Sequence, residues 1–133
     1  MPLLNGGGGQ GPTASQPDRA RTTGAALEAH YRFLLWLVPA VERFPRRQKF
    51  LLGDRIQMTA LDVLERLIEV TYTKRRGDLL ARANLGLEKL RFLFRLAHDL
   101  HLLDMRRYRH AARSIDDTGR KVGAWRKAHH AQA

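Results

Sequence analysis

The chain has 133 residues, 24 Lys and Arg against 13 Asp and Glu for a formal net charge of +11, 44% hydrophobic residues and no cysteine. That length supports one core rather than two, and the missing thiols exclude a disulfide scaffold, a cysteine-ligated zinc and a cysteine nucleophile. The charge predicts attraction to polyanions. The longest apolar run, Phe33 to Val41, falls short of the roughly 20 residues that span a bilayer. With no basic segment followed by an apolar stretch at Met1 to Gln10, a cytoplasmic protein without a membrane partner is expected.

Residues 1–23 hold five of the eleven glycines and three of the five prolines, too little apolar surface to offset the entropy of ordering, so a disordered tail is expected there. Its charges sum to +1 (Arg19 and Arg21 against Asp18), which leaves +10 on residues 24–133. No proline follows Pro45, and the alternation typical of strands is missing, so the expectation is an all-α domain over 24–128 with a frayed tail at 129–133.

A first helix is expected from Ala25 to Arg43, started by Thr22 or Thr23, with Leu27, Tyr31, Leu34, Leu35, Val38 and Val41 inward and a kink at Pro39. Phe44-Pro45 ends it. A second runs from Gln48 to Thr73, with Ile56, Ala60, Val63, Leu67 and Val70 on one seam at 4-3-4-3 spacing. Lys74-Arg75-Arg76-Gly77 reads as its basic exit and glycine stop.

The third helix is expected from Asp78 to Leu103. Ala83, Leu87, Leu90, Phe94 and Ala97 form one seam, and Leu80, Leu93, Leu96, Leu100 and Leu103 a second, which calls for cover from a neighbouring subunit. Asp104 then caps a fourth helix, Met105 to Lys127, with Tyr108, Ala112, Ile115, Gly119, Val122 and Trp125 inward. Four helices joined by short turns predict an antiparallel up-down-up-down four-helix bundle.

Catalysis finds no support. The only serines are Ser15 and Ser114, and phosphate-binding glycine loops and zinc-protease motifs are absent. His98 and His101 lie three apart around Asp99 but lack a third ligand at a recognisable spacing, so neither a metal nor any other cofactor is expected.

Basic residues form three groups near turns: Arg43, Arg46, Arg47 and Lys49; Lys74, Arg75 and Arg76; and Arg106, Arg107 and Arg109 with Arg113. Arginine's fork of donors suits phosphate oxygens. Each group also reads as a solvated helix end, but +10 on one small body exceeds what turn chemistry needs. On helix three, Arg91 and Arg95 share a stripe with Glu88 and either pair with it at the surface or project together toward nucleic acid. The aromatic residues sit mostly on apolar seams, so binding to the backbone with strong salt dependence is expected and no stacking platform is assigned.

Several ordered motifs between about residues 28 and 127 resemble a known family. They are Phe44-Pro45-Arg46-Arg47-Gln48-Lys49-Phe50, Leu52-Gly53-Asp54-Arg55-Ile56, Arg82-Ala83-Asn84-Leu85, Leu87-Glu88-Lys89-Leu90-Arg91, Leu96-Ala97-His98-Asp99-Leu100 and Val122-Gly123-Ala124-Trp125. The chain is similar to the accessory variability determinant (Avd) proteins of diversity-generating retroelements. The likeness is shared in part with a broader four-helix-bundle family that includes ribosomal RNA intervening-sequence proteins. The Avd resemblance implies a ring-like homopentamer without catalytic activity that binds the retroelement's reverse transcriptase and template RNA, with DNA as a further ligand, and supports mutagenic cDNA synthesis and retrohoming. It marks Arg91 and Arg95 as candidate nucleic-acid contacts and assigns nothing to the glycine-rich tail. The alternative is a structural bundle or general RNA-binding adaptor of the intervening-sequence type.

Overall fold

The computed structural model describes the backbone of residues 17–132 and side chains from Gly24 to His130. Among them are four long helices and no strand: α1 (Pro17–Glu42), α2 (Asp54–Thr71), α3 (Arg76–Asp99) and α4 (Met105–Gln132). α1 begins earlier than the sequence indicates, with a proline in its first turn, where a missing N–H leaves no bond unmade. Residues 1–16 of the expected tail lie outside the described residues. α4 continues past Lys127 to Gln132.

Cross-helix contacts fix the topology. His30 of α1 reaches the Ala60 carbonyl of α2, while Val41 lies against Gly53 just before α2. Val63 of α2 meets Gly86 of α3. Arg91 and His98 of α3 meet Asp116 and Tyr108 of α4, and Trp36 of α1 meets His110 of α4. In the first and third of these pairings the residue numbers rise on one helix as they fall on the other, so neighbours run antiparallel and the four close a square in chain order.

The seams expected on α2 and α3 are buried in full, from Ile56 to Val70 and from Ala83 to Ala97. Burying side chains such as Leu67, Leu87 and Phe94 contributes about 1.5 to 3 kcal/mol each. The expected seam of α1 holds only in part: Leu34 and Val41 are buried and Leu27 packs against the core. The helix's core residues are Ala26, His30, Phe33, Leu37 and Ala40, continued by Phe44 just past the helix, with Leu34 and Val41 beside them, whereas Tyr31, Leu35 and Val38 are exposed. Those exposed residues form a second apolar stripe with larger side chains than the buried one, which carries a histidine and two alanines. α4 is off by one position at two places, burying Ala111 and Thr118 rather than Ala112 and Gly119.

The second leucine seam of α3 also divides. Leu80 belongs to the core, Leu96 and Leu100 are exposed, and Leu103 is buried in the connection after the helix. α3 stops at Asp99 because His101 turns left-handed at φ 62°. The His101 N–H bonds to the His98 carbonyl (2.9 Å) and the Leu102 N–H to the Ala97 carbonyl (2.8 Å), the paired closing bonds of a Schellman turn. Gly77, the expected stop of the second helix, instead lies in the first turn of α3, and no described glycine has positive φ.

A helical turn, Arg46–Gln48, and a π-helical segment, Lys49–Gly53, lead into α2. There Gly53 packs so tightly on α1 that an added Cβ would come within 2.6 Å of Val41 Cγ1. No described helix is long and apolar enough to cross a membrane.

Candidate nucleic-acid interface

The antiparallel square sorts the basic clusters by end. The α1–α2 and α3–α4 connections share one end, so Arg43, Arg46, Arg47 and Lys49 join Arg106, Arg107 and Arg109 there. Lys74, Arg75 and Arg76 lie at the other end, where Gly77 approaches His129 near the end of α4. The arrangement follows from topology, since alternate connections of an up-down bundle face the same way.

Several of these cations have local duties. Lys49 pairs with Glu42 (3.0 Å), Arg46 lies over the Phe50 ring (5.9 Å), and Arg76 donates to the Thr73 carbonyl (3.3 Å). The Arg107 N–H takes the Asp104 carboxylate (2.8 Å), which confirms Asp104 as the cap of α4. Arg47, Lys74, Arg75 and Arg106 are exposed and have no carboxylate partner among the described residues.

The paired projection of Arg91 and Arg95 is not what the fold builds. Arg91 bonds Glu88 (2.8 Å) on its own helix and Asp116 on α4, with 35% of its side chain exposed. The Asp116 bond, opposed by partial burial, holds its guanidinium pKa above the ordinary value. Arg91 is thus an α3–α4 tie, made by Asp116, which lies 25 residues away in the chain on a different helix. Arg95 is exposed with Asp99 at 3.9 Å.

The larger basic surface is α4 itself. From Met105 to Gln132 it carries eight Lys and Arg against two Asp, a net +6. Diagonally across the bundle, α2 carries two arginines against four acids, a net −2. Arg106, Arg109, Arg113, Arg120 and Lys127 are all exposed, and their spacing of three, four and seven keeps them on one stripe about 30 Å long. Arg120 and Lys121 hold Asp117, whose carboxyl is kept below its usual range chiefly by the Lys121 bond. The signal for this stripe in the sequence is a helical period in charge rather than in apolar residues.

His98 is committed structurally: its Nδ1 lies 3.1 Å from the Leu103 carbonyl and its ring stacks on Tyr108 at 4.8 Å. His30, unremarked in the sequence, is fully buried. Its Nε2 donates to the Ala60 carbonyl (2.8 Å) while Nδ1 has no partner among the described residues, and burial pushes its pKa down against that bond.

Two apolar surfaces remain open. One is the flank of α1 and α2 bearing Tyr31, Leu35, Val38, Leu61 and Ile68; the other is a groove between α2 and α3 at Met58, Leu85 and Phe92. A family model described as bAvd-like matches residues 26–129, which takes in parts of all four helices. No curated protein matches the chain significantly.

Proposed function

We propose, because the chain belongs to the bAvd-like family, that it is a noncatalytic accessory protein of a diversity-generating retroelement, binding template RNA and the element's reverse transcriptase to support mutagenic cDNA synthesis. The observation that carries the RNA part is the basic stripe on α4, interrupted only at the paired Asp116 and Asp117, on the helix diagonally opposite the acidic α2. Guanidinium groups spaced along a helix suit a phosphate backbone and read little sequence, so the protein would hold the template while the polymerase supplies the chemistry. Its contribution is positioning.

The two apolar surfaces support self-assembly as a ring. They are different patches on one chain, so they would fit head to tail, and a head-to-tail contact closes a ring when its rotation allows. The reading is a homopentamer, about five times the 15.2 kDa chain mass. Leu35→Glu would place a charge in that contact and shift the mass toward the single chain.

The deciding experiment is co-purification with a diversity-generating retroelement's reverse transcriptase and its RNA, with the mass of the assembly measured. In parallel, RNA affinity is followed against salt for a triple variant, Arg106→Ala, Arg109→Ala and Arg113→Ala. If each arginine neutralises one phosphate, the log–log salt slope falls by about 2 to 3. Arg91→Ala with Arg95→Ala should change it less, since acids already occupy both. An unchanged slope in the triple variant removes the α4 stripe from the proposal.

A further inference from the structure

Trp36 and His110, far apart in the sequence, are brought ring to ring where α1 packs on α4, with centroids 4.6 Å apart and planes at 46°. Both rings line two adjoining openings. One is a groove of about 530 Å³ between the helices, with small residues Ala25, Ala29 and Ser114 along it. The other is a pocket of about 270 Å³ walled by Arg106, Arg107 and Asp104.

The charges around these openings are unequal. In the groove each acid is already paired: Glu28 with Arg32 (3.3 Å), and Asp117 with Lys121 (2.6 Å) and Arg120 (3.3 Å). In the smaller pocket Asp104 caps the Arg107 N–H (2.8 Å), and neither arginine side chain has a carboxylate partner among the described residues. Trp36 is held in place by Phe33, stacked at 5.9 Å and 13°, and by Phe94 at 6.3 Å. His110 is exposed, so its ring is the one free to swing.

We propose that this place is a nucleotide subsite for single-stranded RNA, in which one base stacks against the Trp36–His110 pair and its phosphate sits on Arg106 and Arg107. The proposal rests on the RNA-binding reading and adds base contact to it. A rigid indole beside unpaired guanidinium groups is the arrangement that holds an unstacked base together with its phosphate. A duplex, whose base faces are already covered, does not fit. The site lies between α1 and α4, away from both open apolar surfaces, so assembly through those surfaces leaves it accessible.

The test titrates the full chain with oligoadenylate and with an abasic ribose-phosphate strand of equal length, reading affinity and tryptophan emission. Trp125 is buried and supplies a constant background. Oligoadenylate should bind more tightly than the abasic strand and quench emission. His110→Ala, at an exposed position, should reduce that preference about five- to tenfold, while Arg106→Ala weakens both strands and Arg55→Ala on α2 changes neither. Equal affinities with no change in emission would overturn the subsite and leave backbone RNA binding standing. Binding of neither strand would overturn both.

Discussion

The α2–α3 pair and the α1–α4 pair are built to different standards. Between α2 and α3 the backbones approach so closely that a Cβ on Gly86 would come within 2.4 Å of Val63 Cγ2, and both facing seams are wholly apolar. Between α1 and α4 lie an open groove and, on α4, a buried threonine whose hydroxyl has no partner among the described residues. The first pair resembles a core selected for packing. The second gives up packing where charged and aromatic groups collect, as expected if that side meets a ligand.

The comparison is broken most forcefully at the glycines. Gly86→Ala gains about 1 kcal/mol of helix propensity but must displace a packed valine, for a net destabilisation of about 1 to 2 kcal/mol. In a Val63→Ala background the same change should turn stabilising, because the obstructing methyl is gone. Gly123 on α4 has nothing within 4 Å of an added Cβ, so Gly123→Ala should stabilise by up to about 1 kcal/mol. Denaturant midpoints for the four variants check all three signs.

The same contrast explains what the sequence could tell. The seams of α2 and α3 were legible because every position in them is apolar and their period is that of a helix. On α1 the buried set includes His30, Ala26 and Ala40, and pattern reading preferred the larger side chains of Leu27, Tyr31 and Leu35. The short connections made the square topology legible, and with it the meeting of two basic clusters at one end. Arg91 was not legible, because its fate depends on Asp116 across a helix interface. The stop of α3 was missed because a histidine, not a glycine, takes the left-handed position at residue 101.

A smaller effect sharpens the account of the α1–α4 side. Thr118 is 1% exposed, and its Oγ has no partner among the described residues. Thr118→Val keeps the shape and removes the unpaired hydroxyl, so it should stabilise by about 1 kcal/mol and raise Tm by about 4 °C. Equal stability of variant and parent by thermal unfolding would mean that the hydroxyl is satisfied in solution.

The smallest expected effect is a pH dependence that arises where α1 meets α2. His30 is held neutral in the fold: burial lowers its pKa from the ordinary 6.5, and the Ala60 hydrogen bond only partly opposes this. The unfolded chain therefore binds a proton in a range where the folded one does not, and stability rises with pH there. The contribution is present above about pH 6.5 and is lost as pH falls from that value toward the lowered pKa, by at most about 0.7 kcal/mol between pH 7 and pH 6. His30→Leu removes the proton acceptor and leaves the Ala60 carbonyl in its helical bond, so urea midpoints of the variant should stay flat across that window while those of the parent fall. Parallel slopes for the two proteins would assign the dependence to other groups and leave His30 as packing alone.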